Sequence, residues 1–164
     1  MELAERGWVQ HRFHTLIVTV AAAAMLATAP SAAHAANAQH PDTTSSAYES
    51  RLLRLVNSER ARRGRRPLRL WSCADGYAKR WSVHLAHSSF LRHPSLATVK
   101  RSCRARWVGE NIGYGNISAD AMMRAWMASS GHRANILDAR FTYIGLGAVR
   151  SGGHWYAVQE FIGL

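Results

Sequence analysis

The chain has 164 residues, with 21 Lys and Arg against 10 Asp and Glu for a formal net charge of +11, 48 % hydrophobic residues and two cysteines. That length and apolar content suit one domain with a real core and leave no room for a second. Neither cysteine stands in a C-x-x-C or other ligand spacing, which argues against thiol-based catalysis or metal binding.

At the start of the chain, Arg6, His11 and Arg12 precede an apolar run from Leu16 to Ala29 that is too short to span a bilayer comfortably. Pro30 and Ser31 break the run, and Ala33-His34-Ala35 supplies the small residues a signal peptidase needs at minus three and minus one. Residues 1–35 therefore read as a removable secretion signal cleaved after Ala35, with Ala36-Asn37-Ala38 as a second small-x-small site. The expectation is a secreted, extracellular protein with no transmembrane segment in its mature form. Residues 36–47, rich in Asn, Gln, Pro, Asp, Thr and Ser, read as a flexible lead-in, and residues 48–164 as the folded domain.

In the domain, Ser46 and Glu49 form an S-x-x-E capping box ahead of Leu52, Leu53, Leu55 and Val56, and Gly64 with Pro67 ends this first helix. The arginines that follow, Arg60, Arg62, Arg63, Arg65, Arg66 and Arg69, make the densest positive cluster of the chain. No aromatic residues interleave with them, so a nucleic acid is not an expected partner. An anionic cell-envelope polymer is one that screened attraction would hold. Ser72 can cap a second helix on which Ala74, Tyr77, Ala78, Trp81 and Leu85 recur at helical spacing. A third helix opens at Ser118 with Asp120 and carries Met122, Ala125 and Trp126, with Gly131 after its end. These stripes read as core. Cys73 and Cys103 are expected to pair as a disulfide in an exported chain.

Towards the C-terminus the period changes. Tyr143–Arg150 and His154–Ile162 are rich in β-formers and flank Ser151-Gly152-Gly153, so they read as a hairpin whose strands lie centrally in a sheet. Gly145 and Gly147 leave one face of the first strand without side chains, which invites close packing. The fold class expected is α+β, a three-layer α-β-α sandwich with a mostly antiparallel central sheet.

Polar residues able to carry chemistry gather in three segments. Phe90-Leu91-Arg92-His93 brings one histidine, Gly109-Glu110-Asn111-Ile112 a carboxylate, and Ser130-Gly131-His132-Arg133-Ala134-Asn135-Ile136-Leu137 a second histidine. With Leu55-Val56-Asn57-x-x-Arg60 before them, Trp126 and Ser129 leading into the third segment, and Val158-Gln159-Glu160-Phe161 closing the chain, the order resembles the CAP superfamily, also called the SCP domain, in its short bacterial secreted form. The resemblance implies an α-β-α sandwich with a cleft holding two histidines and two acidic residues. His93, Glu110 and His132 match three of those four; Ser129 stands where long eukaryotic members have the second glutamate.

Ser129 and Asn135 join the three as candidate cleft residues, with Glu110 and His132 the candidates for any catalytic role. His93, His132 and Glu110 are also ligand types that suit a divalent cation such as zinc with one position open to water. The expected function is a non-enzymatic binding module for a lipid, a peptide or a cell-envelope ligand, acting as a monomer. The alternatives are a peptidase-like hydrolase with Glu110 or a histidine as base, and an adhesion protein working through its arginine surface.

Overall fold

Thr44, in extended conformation, accepts the Ala47 N–H on its hydroxyl at 3.1 Å and starts α1 (Ser45–Ala61). The computed structural model describes residues 44–88 and 91–164; the expected signal, its cleavage site and the lead-in up to residue 43 lie outside the described residues. The cap is thus Thr44, not Ser46, and residues 45–47 of the expected lead-in are helical. Glu49 is released from any capping task and turns towards the sheet instead.

After α1 come β1 (Arg69–Leu70), α2 (Ser72–His87), α3 (Leu96–Ser102) and β2 (Trp107–Gly115). The chain continues through α4 (Ala119–Ala128), α5 (Ser130–Leu137), β3 (Tyr143–Ser151) and β4 (His154–Gly163). Ser72 lies inside α2 and does not cap it; the cap position is Trp71, whose side chain makes no capping bond. At Ser118 the expected cap holds, its hydroxyl taking the Ala121 N–H at 3.3 Å. Gly131 falls within α5 and does not follow a helix end.

Four strands form one sheet in the order β1-β3-β4-β2, parallel only between β1 and β3. The hairpin strands β3 and β4 are central. Gly152 and Gly153 adopt φ of +56° and +79°, the paired left-handed conformation that matches a hairpin's twist.

On one face of the sheet, α1, α4 and α5 bury Tyr48, Leu52, Val56, Met122, Trp126 and Ile136 against Ile144, Leu146, Trp155 and Phe161. In α4 the buried face runs through Ala119, Met122, Met123 and Trp126, and Ala125 points to solvent. On the other face α2 lies directly on the backbone of β3. A Cβ at Gly145 would stand 2.1 Å from the Ala74 carbonyl carbon, and one at Gly147 2.2 Å from the Ala78 carbonyl oxygen. The bare strand face foreseen at these glycines is therefore filled by a helix. Cys73 in the first turn of α2 is bonded to Cys103 at the end of α3, closing a 30-residue separation and binding α3 to this layer.

Two polar devices complete the frame. Arg60, 1 % exposed, sends its guanidinium to the carbonyls of Arg66, Ile136, Asp138 and Phe141 at 2.7–3.2 Å. Asn57 pairs with both backbone groups of Leu68 at 2.8 and 3.0 Å. The N-x-x-R motif is thus a clamp on two loops, and Arg60 is withdrawn from the surface cluster; Arg62 and Arg63 are ion-paired with Glu59. Beyond Ile144, β1 has ended, and the next outward N–H groups of β3 meet carboxylates instead of a strand. Asp75 takes Leu146 N–H at 3.2 Å and Glu49 takes Ala148 N–H at 2.9 Å, with Lys79 bridging the two acids. No helix among the described residues is long and apolar enough to cross a membrane.

Candidate functional site

β2 is an edge strand, over a segment singled out in the sequence only for its carboxylate. Its alternation decides the site. Gly109, Asn111 and Gly113 face α4 and α5, where Cβ atoms at Gly109 and Gly113 would collide with Phe141 and Met122. Glu110 and Ile112 face the α2 side. Opposite Glu110 in the antiparallel register is Glu160 of β4. Residues paired in this way share a face, with Cβ atoms about 5 Å apart. Two carboxyl groups therefore stand next to each other under α2.

Both are buried, Glu110 at 4 % and Glu160 at 1 % exposure. Glu110 Oε1 accepts the Nδ1–H of His93 at 2.5 Å, and its Oε2 has no partner. Glu160 has no partner on either oxygen. Burial, then the neighbouring Glu110 charge, pushes the Glu160 carboxyl up to about 9, so it is protonated at neutral pH. Glu110 is also raised by burial, opposed by the hydrogen bond and charge of His93. The charge of Glu110 thus bears on Glu160, which marks Glu110 as the member that ionises first.

The pair closes the floor of a cavity of about 280 Å³. Its walls are Tyr77 and Trp81 from α2, Thr98 and Val99 from α3, and Pro94 and Ser95 from the loop between them, with Arg80 also in the lining. Trp81 Nε1–H holds that loop through the Arg92 carbonyl at 3.1 Å. Two members of the apolar stripe on α2 are therefore half-buried cavity wall; Ala74, Ala78 and Leu85 form the core part.

Around the edge of β2, a chain of amides joins the strand to α5. Asn135 Nδ2 donates to the Glu110 carbonyl and to Asn111 Oδ1, both at 3.0 Å, and Asn111 Nδ2 donates to the His132 carbonyl and to Gln159 Oε1 at 3.1 and 3.0 Å. This network sets α5 beside His93. The half-buried His132 ring is lowered in pKa, first by burial and then by the His93 charge.

Of the residues singled out in the sequence, His93 is hydrogen-bonded to Glu110, and its charge bears on His132. Asn135 is a positioning residue, Ser129 joins α4 to α5, and of the five candidates Glu110 alone lines the cavity, with His93 behind it. Among the described residues no three His, Cys, Asp or Glu side chains are grouped so that they would hold a metal ion. The metal set His93, His132 and Glu110 is thus not assembled as a coordination shell. Glu160 was missed, although a signal for it exists: in H-W-Y-A-V-Q-E-F-I it shares the face of Val158 and Ile162, a buried position for an acid.

Comparison with known proteins agrees with this architecture. A Bacillus subtilis protein, YkwD, is 33 % identical over an alignment covering 78 % of this chain and 54 % of that protein, so the chain spans about half the length of the curated relative. An extracellular SCP-domain protein of Bacillus anthracis has a similar fold at a TM-score of 0.66 and 23 % identity, covering 73 % of this chain and 41 % of that one. A cysteine-rich secretory protein of Staphylococcus aureus reaches 0.64 at 21 % identity, over 76 % of this chain and 41 % of that one. An outer surface protein of Borrelia burgdorferi reaches 0.62 at 16 % identity, over 68 % and 89 %. Residues 53–161, most of the described domain, match the CAP family, the cysteine-rich secretory proteins, and with its α-β-α sandwich and its ordered His93, Glu110 and His132 motifs the chain belongs to that family.

Proposed function

We propose that the protein is an exported, non-enzymatic binding module whose ligand occupies the cavity between α2, α3 and the sheet. The observation that carries this reading is the hollow itself: a preformed space of about 280 Å³ with aromatic and aliphatic walls and two convergent carboxyl groups at its end. Small-molecule sites have this composition, an apolar enclosure with a few placed polar groups. A lipid, a peptide or a cell-envelope component is the class of ligand that such walls and the family resemblance favour. Export is supported by the disulfide, which persists in oxidising compartments, and by the extracellular and outer-surface descriptions of the structural neighbours. On this reading residues 1–35 act as the signal.

Native mass spectrometry of the protein tests it. A retained mass is expected, and it should disappear when His93, Glu110 and His132 are changed together to Ala while circular dichroism shows an unaltered fold. Unchanged retention in that variant removes the reading. A hydrolase is the second reading, favoured by the inequivalence of the two carboxyls, one held by His93 and the other unpartnered and protonated. Peptide or ester turnover that vanishes in Glu110→Ala would establish it.

A further inference from the structure

The carboxyl pair specifies more about the ligand than the cavity's size does. Three oxygens, Glu110 Oε2 and both of Glu160, are buried without a partner. Leaving such acceptors unmet is costly, and the more so for a group bearing charge. A proton shared between the two acids would satisfy two of the three at most. Among the described residues no cation supplies the rest. His93 is committed to Oε1 of Glu110, and Arg80 folds back along α2 with its guanidinium over the Tyr77 ring at 4.6 Å and one nitrogen close to Gly76. Thr98 and Val99, which α3 contributes, carry no charge.

We propose that the floor of the cavity receives a primary ammonium group on a compact stem with an apolar face, its N–H groups taking the unpartnered oxygens of Glu110 and Glu160. An ammonium carries three donors and no acceptor, so, with the Glu160 proton released to solvent as it binds, it matches the number and the kind of the orphaned atoms, and its charge compensates the acids. The stem meets Trp81, Pro94 and Val99. The net charge of +11 disfavours a cation at long range, but salt screens that repulsion beyond about 8 Å, and the local field at the floor is set by the acids. This inference rests on reading the cavity as a ligand site and names the chemistry of the ligand.

An aliphatic amine, an amino sugar and a peptide N-terminus share this chemistry. They are separated by titrating the protein calorimetrically, near neutral pH, with three pairs: hexylamine and hexanol, glucosamine and glucose, and a Leu-Gly dipeptide with its N-acetylated form. In at least one pair the amine should bind about tenfold or more tightly than its partner, and Glu160→Gln, which keeps the side-chain shape, should abolish that preference. The pair that responds identifies the source. Equal binding of amine and partner in every pair, no binding by any compound, or a preference that survives Glu160→Gln overturns the ammonium. If the amine-free compounds bind and Trp81→Ala releases them, the cavity stands as a ligand site and only its ammonium specificity falls. If no compound binds and native mass spectrometry also shows no retained mass, both readings fall.

Discussion

Glu160 is held in a state that the rest of the molecule must tolerate. Its carboxyl is pushed up to about 9 in the folded protein, whereas in an unfolded chain it titrates near the ordinary glutamate value of 4.5. A group whose pKa is raised by folding contributes fully to stability below the unfolded value and loses that contribution as pH rises through the folded one. The window is therefore from about 4.5 to about 9, and within it the native state weakens as pH rises. Replacing Glu160 with Gln should leave stability little changed near pH 5 and raise it by about 1 kcal/mol or more near pH 8, read as urea midpoints at the two pH values. A wild-type protein and variant with the same pH dependence would mean the carboxyl is not buried as a neutral acid. His132, lowered in pKa by burial, acts in the opposite sense around its ordinary value, but it is present in both proteins and cancels in the comparison.

How visible these residues were depends on what their neighbours show. His93, Glu110 and His132 stand in motifs with their own spacing, so their convergence could be expected from the resemblance. Glu160 hid inside a run that reads as a strand, and Tyr77 and Trp81 inside a stripe that reads as core, because periodicity reports which face is covered and not whether the cover is protein or a hollow. Arg60 was counted with its surface neighbours although it also closes the Asn57-x-x-Arg60 motif; four backbone carbonyls draw it inside, three of them from residues more than 70 positions away.

Among the elements, the contact between α2 and β3 is the one with least tolerance. Gly147→Ala would place a methyl 2.2 Å from a backbone oxygen of α2, which no rotamer change relieves. The expected loss is about 3 kcal/mol. Gly152→Ala, with open space around it but φ of +56°, should cost only about 1 kcal/mol, the strain of the left-handed conformation alone. Chemical denaturation of the two variants separates close packing from turn strain; equal losses would mean that α2 yields. The hairpin was legible because its turn needs two glycines, and α4 because Ser118 caps it. β2 was not, as the glycines at 109 and 113, required by the close approach of Phe141, Asn135, Met122 and Trp126, erase the alternation of bulk that marks a strand. α5 was obscured by Gly131, which reads as a stop when met one turn after Trp126.

At the scale of the whole molecule, the excess of positive charge and the buried carboxyl pair predict two different responses to salt. Arg65 and Arg66 are exposed, while Arg60 is buried and Arg62 and Arg63 are paired with Glu59. Attraction of this surface to an anionic polymer should fall steeply between low and physiological ionic strength, measured as retention on a polyanion resin, because exposed charges are screened. Retention unaffected by salt would assign the contact to something other than charge. A ligand on the buried carboxyl pair should be far less sensitive over the same range.

The acids that finish the outer edge of β3 bear on how copies of the protein behave together. A sheet that simply stops offers amides to any extended stranger, and that is how β-proteins stack on one another. Here the stranger finds the Leu146 and Ala148 amides already engaged by oxygens that have no N–H to give in return, backed by a lysine. Two side chains from separate helices thus act as a short false strand, and a crowded population of these molecules has one fewer seam along which to polymerise.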